Sequence, residues 1–153
     1  MLLRRHVAVA ALSLSLGCAA SQHALSFDPG EYASPDGAVT IEVREARYEA
    51  RQLTIKCTLT NRGESDLQVE RSGVLLADGD LELPLSDNPV AAGPETMELG
   101  VGQTQPVTFA FDVGGLEPVT RTLRLRAVRV GDTPQPPVSV MVPGITTGTE
   151  ENA

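Results

Sequence analysis

Among the 153 residues, two histidines, two cysteines and one close group of carboxylates have the greatest capacity for chemistry. His6 falls in a segment expected to be cleaved off and His23 in the stretch just after it. Neither belongs to the folded domain expected from the sequence, which excludes a Ser-His-Asp triad or a multi-histidine zinc site there. Cys57 alternates in phase with Leu53, Ile55 and Leu59. That phase makes it a core thiol, whereas a nucleophilic cysteine needs an exposed, electropositive setting. Asp78, Asp80 and Glu82 could offer oxygen ligands to a hard cation, but the group stops at three carboxylates and is read as a solvated hairpin. Paired carboxylates also serve glycoside hydrolysis, in clefts with aromatic walls. With three Phe, two Tyr and no Trp, the chain has little to build such walls from. Met97 and Met141, with Cys57 and His23, share no spacing typical of a soft copper site. Arg121, Arg124, Arg126 and Arg129 form the one basic cluster, read as a solvated strand face paired to acidic neighbours, with a docking patch for an acidic partner as the alternative. No cofactor, no metal and no enzymatic activity are expected.

The second cysteine, Cys18, is different because of what precedes it. Residues 1–17 comprise a basic start (Arg4, Arg5, His6), an apolar stretch over 7–16, and Gly17 directly before Cys18. The apolar stretch is shorter than the roughly 20 residues that a helix needs to cross about 30 Å of hydrocarbon, so it reads as a signal peptide. Leu14-Ser15-Leu16-Gly17-Cys18 resembles the lipobox of bacterial lipoproteins, although Ser15 stands where that pattern prefers Leu. The resemblance implies cleavage before Cys18 and lipid on its sulfur. Ala19, rather than Asp, implies the outer membrane by the sorting rule of enteric bacteria. The alternative is an ordinary secretory signal cut after Ala20, giving a soluble periplasmic or secreted protein. Were Cys18 lipidated, Cys57 would have no disulfide partner, and stability would rest on the packed core alone.

Charge narrows the partners. Twelve Lys and Arg face twenty Asp and Glu, a formal net charge of −8, and two of the twelve lie in the signal segment. Nucleic acid and anionic headgroups are both bound by clustered basic side chains, so neither is expected as a ligand. Membrane association is expected through covalent lipid on Cys18 alone.

The elements that would position any site are short strands. Residues 18–37, carrying Pro29, Gly30, Pro35 and Gly37, read as a lipid anchor followed by a flexible tether. From 38 to 143 the pattern has period two. Val39, Ile41 and Val43 alternate with polar residues, as do Leu53, Ile55, Cys57 and Leu59. Leu67 and Val69 follow the loop Asn61-Arg62-Gly63-Glu64-Ser65, and Asp78-Gly79-Asp80 reads as a tight turn between two strands. Residues 86–98 read as a long loop. Val107, Phe109, Phe111 and Val113 form a strand, and the parity reversal after Leu123 and Leu125 predicts a bulge or a change of sheet near Ala127. Val138, Val140 and Val142 predict a final edge strand after three prolines. Residues 44–51 (REARYEAR) are good helix formers, but eight residues are short for an independent helix, which favours extended structure or a single turn. Residues 144–153 read as a tail.

About seven or eight strands without a long helix predict an all-β, two-layer antiparallel sandwich. The run Leu53-Thr54-Ile55-Lys56-Cys57-Thr58-Leu59-Thr60-Asn61-Arg62-Gly63 ends a strand in Asn and a Gly-containing turn. Gly102 lies in a turn before a strand with alternating Phe109 and Phe111. Both resemble the immunoglobulin-like domains of small bacterial lipoproteins, implying that fold and an envelope location. The function expected is a lipid-anchored, non-catalytic interaction or scaffold module with an envelope protein as partner. A periplasmic small-molecule or metal-binding protein is the alternative. The candidate partner-binding site is the long loop, at Ser86, Asp87, Asn88, Pro89 and Val90, with the C-terminal edge strand as its competitor.

Overall fold

In a computed structural model, the described residues are 22–25, 27–28, 30–87, 91–117 and 119–144. Cys18, the signal segment, Asn88, Pro89, Val90 and the tail beyond residue 144 lie outside them. The described residues form an antiparallel, all-β sandwich, with no α-helix among them.

The first layer consists of β1 (Gln22–Leu25), β2 (Val39–Glu49), β3 (Gln52–Asn61) and β8 (Thr104–Asp112), ordered β1-β2-β3-β8. Between β3 and β8 the chain visits the second layer through β4 (Leu67–Glu70), β5 (Val74–Asp78), β6 (Leu81–Pro84) and β7 (Thr96–Leu99). It returns there with β9 (Arg121–Leu125), β10 (Val128–Val130), β11 (Thr133–Pro134) and β12 (Val138–Val142). These pair in two groups, β12-β9-β5-β6 and β11-β10-β4-β7. The groups are halves of one broken layer: a 3₁₀ turn at Arg71–Gly73 links β4 to β5, and residues 126–127 link β9 to β10. Across the break Glu70 N–H donates to Ala127 O at 3.0 Å and Arg126 N–H to Gly73 O at 2.9 Å. A Cβ on Gly73 would lie 2.7 Å from both N and Cβ of Ala127, so this close approach requires glycine. The expected change of sheet near Ala127 is thus present.

Phase dictates the core. Ile55, Leu59, Phe109 and Phe111 of the first layer are fully buried with Leu67, Leu76, Leu123 and Leu125 of the second in one cluster. Along β2 the buried set is Val39, Ile41, Val43, then Ala46 and Tyr48, because the register shifts between Val43 and Glu45. The bulge inserts Arg44 and flips the parity. This is why 44–51 shows no period of two in the sequence, and the segment is strand with no helical turn through Glu49. The β2–β3 connection then places Ala50 at φ 51°, a left-handed conformation costly for a residue with a Cβ.

Other expectations are corrected. Among the described residues there are twelve strands rather than seven or eight, because β1, β7 and β11 show no readable alternation and each sheet line in the second layer is broken in two. Residues 22–34, read as tether, contribute β1, paired from Gln22↔Glu49 to Leu25↔Ala46, and a bridge of Ala33 to Glu42. Phe27 and Tyr32 pack edge to face at 5.1 Å against the core, so apolar burial ties this segment down. The long loop ends earlier than expected, since β7 begins at Thr96 and pairs with β4, placing Met97 in the core.

Candidate functional site

The loop between β6 and β7 is built into the fold at both ends. At its start Ser86 N–H donates to Ala110 O at 2.8 Å, and Gln52 Nε2 donates to Ser86 Oγ at 3.4 Å. At its far side Arg71 N–H donates to Glu95 O at 2.8 Å, and Arg71 Nη2 to Ala91 O at 2.6 Å. The guanidinium also lies 5.7 Å from the centroid of the buried Phe109 ring, a cation–π arrangement. A charge-assisted bond to a carbonyl, backed by an aromatic face, is a strong clasp. It pins Ala91, itself 4% exposed, beneath the loop.

Beneath and beside this loop is a cavity of about 770 Å³ whose walls include Arg71, Leu85, Asp87, Ala92 and Glu95. Glu70 also lines it. Three carboxylates against one already engaged guanidinium make the rim acidic. Of the loop residues singled out from sequence, Ser86 and Asp87 line the cavity, and Asn88, Pro89 and Val90 lie outside the described residues. Sequence reasoning missed Arg71: it partners a backbone carbonyl twenty residues away, and such a contact leaves no side-chain pattern to read.

The other chemistry-bearing residues are used structurally. Cys57 is a buried free thiol, and desolvation pushes its pKa up. Thiolate is therefore suppressed at neutral pH. The expected turn of Asp78, Asp80 and Glu82 is present, with Gly79 at φ 58° and Asp78 paired with Leu81. Two of its three carboxylates face arginines: Asp78 Oδ2 lies 3.2 Å from Arg121 Nε, and Glu82 Oε1 accepts from Arg124 at 3.2 Å and also from Arg126. Among the described residues no three His, Cys, Asp or Glu side chains converge as a metal site would require.

The arginine cluster divides. Arg124 and Arg126 form the expected surface pairs, while Arg129 is on β10 and donates to Asp132 O at 3.0 Å. Arg121 is not on the solvated face: it is 3% exposed. It shares parity with Leu123 and Leu125, which points it inward. Its guanidinium donates to the carbonyls of Glu117 and Val119 as well as to Asp78. It also influences Tyr48, whose pKa is raised by burial and partly lowered again by Arg121.

No protein-family model matches the chain. No curated protein matches it either. Among solved structures, the yjhA protein from Bacillus subtilis is similar, with a TM-score of 0.51 and 17% sequence identity over 63% of this chain and 78% of that one. The likeness is one of fold alone. It supports the sandwich architecture and carries no activity with it.

Proposed function

We propose that this protein is a lipid-anchored, non-catalytic interaction module of the bacterial cell envelope, held to the membrane through Cys18 and recognising a protein partner at the loop between β6 and β7. The observation that carries the recognition half is the clasp of Arg71 on Ala91 O, which fixes the far side of the loop to the sandwich beside the cavity. Recognition loops on rigid scaffolds lose little entropy on binding. The acidic rim of Glu70, Asp87 and Glu95 suits a partner segment bearing Lys or Arg. The anchor half rests on the order of basic, apolar and Gly17-Cys18 residues.

Shortening the whole loop is a poor test, because residues 86–98 include part of β7 and the buried Ala91 and Met97. A photo-crosslinking residue at the exposed Ala92 is a better probe. In intact cells it is expected to give a discrete adduct with an envelope protein, lost when Asp87→Lys and Glu95→Lys reverse the rim charge. A crosslinker at Ser65, in the turn between β3 and β4 and not among the residues that line the cavity, is expected to give none. Identical adducts at both positions, or none at Ala92, would contradict the assignment.

A second reading, a periplasmic small-molecule binder, is favoured by the cavity volume, which falls in the range of pockets for small ligands of roughly 300–1,000 Å³. Ligand-dependent stabilisation by a cationic metabolite, abolished by Ala92→Arg, would favour it over a protein partner.

A further inference from the structure

Between Cys18 and Gln22 lie Ala19, Ala20 and Ser21, and four backbone steps reach at most about 14 Å. Gln22 pairs with Glu49 at one end of the first layer. On the lipid-anchor reading proposed above, that end of the sandwich is held against the bilayer rather than at a distance from it.

Hydrogen bonds identify what else lies there. The turn after Glu49 places Arg51 O under the N–H groups of Val113 at 2.8 Å and Gly114 at 3.2 Å, and Leu116 N–H bonds Val113 O at 2.9 Å. Glu117 O and Val119 O accept from Arg121, which pairs with Asp78, and Asp78 pairs across its turn with Leu81. Leu81, Leu116 and Val119 thus belong to the same end as Gln22. They are 44%, 39% and 42% exposed, three of the five exposed large apolar residues among those described. Of the other two, Met141 is on edge strand β12. Val101 lies at the opposite end, in the turn where Gly102 N–H bonds Asn61 O at 3.0 Å.

We propose that the end bearing Leu81, Leu116 and Val119 seats on the bilayer that holds the Cys18 lipid, these side chains entering the headgroup region. One acyl-anchored cysteine and a few apolar contacts act together, since a second signal strengthens lipid anchoring. Glu49, Asp80, Asp112 and Glu117 are exposed at this end, with Arg51 beside Asp112. This acidic balance fits a zwitterionic surface and disfavours an anionic one. The long axis of the sandwich then points away from the membrane and presents the Asn61 end outward.

The test uses the full-length protein expressed with labelled fatty acid and reconstituted in phosphatidylcholine vesicles containing nitroxide-labelled lipid. Leu116→Cys, Leu81→Cys and Val101→Cys variants carry an environment-sensitive fluorophore on the new thiol, Cys57 being buried. Quenching is expected to be several-fold stronger at positions 116 and 81 than at 101. Equal quenching at all three in protein whose Cys18 carries label overturns the seating and leaves the anchor intact. Protein with no label on Cys18 overturns both. Leu81 reports independently of Leu116, so a folding defect in one variant does not remove the readout.

Discussion

Arg121 and Asp78 meet at 3.2 Å across the end of the second layer, with the guanidinium 1% exposed and the carboxylate 36% exposed. The pair is therefore asymmetric. Its cation is buried beside Leu123 in phase, while its anion remains in reach of water. Removing one partner of a buried pair leaves an uncompensated charge, whereas removing both is often tolerated. Asp78→Ala is expected to cost about 2–3 kcal/mol, at the low end for such pairs because of the exposed carboxylate. The double variant Asp78→Ala with Arg121→Met is expected to be more stable than Asp78→Ala alone. Chemical denaturation of the four proteins in the cycle checks this, and additive losses would show that the two residues act independently.

Asn61 is a second buried polar anchor, fully enclosed at the opposite end. Its Nδ2 donates to Ser65 O at 2.9 Å and Leu99 O at 3.0 Å, and its Oδ1 accepts from Gly63 N–H at 2.9 Å. The amide thus shapes the turn and ties β3 to the end of β7. Asn61→Asp puts a second acceptor against two carbonyls, and Asn61→Ala leaves them without a donor. Both are expected to destabilise, by about 2–4 kcal/mol, with Asp the worse. Equal stability of wild type and Asn61→Asp in denaturant melts at pH 7 would contradict this role.

Cys57 makes stability depend on pH at the alkaline side. Burial raises its pKa above the ordinary value of 9.0, and burial also raises Tyr48 above 10.0. In each case the unfolded chain releases a proton that the folded chain keeps. Stability is therefore full below the unfolded values and falls as pH rises through them. The expected slope above pH 9 is about −1.4 kcal/mol per pH unit for one proton, and steeper once tyrosine joins. In Cys57→Ala the decline is expected to start about one pH unit higher. Native Cys57 is also expected to resist thiol reagents and to react after denaturation. Fast labelling at pH 8 without denaturant would place the thiol outside the core.

Much of this architecture is legible in the sequence because half-buried strands write their phase in alternate residues. Val39 to Val43, Leu53 to Leu59, Val107 to Phe111 and Val138 to Val142 are legible this way, and so is the sheet change after Leu125. Where phase is interrupted, legibility fails. The bulge at Arg44 hides half of β2, and β7 holds only Met97 and Leu99 as inward residues behind a Pro- and Gly-rich loop. Grouping the four arginines by chemistry hides Arg121, although its parity with Leu123 places it inward. In the candidate site, loop length marks residues 86–98, of which the last three belong to β7, but the Arg71 clasp rests on backbone acceptors that no side-chain pattern encodes.

The central claim is that this sandwich is tied to the membrane through Cys18, and the chemical form of the mature N-terminus tests it most directly. Intact-mass and peptide mass spectrometry of protein purified from membranes is expected to find Cys18 as the first residue, carrying diacylglycerol on its sulfur. Cys18→Ser is expected to abolish fatty-acid incorporation and to release the protein from the membrane fraction. A mature chain beginning at Ser21, unlipidated and recovered in the soluble fraction, would contradict the account.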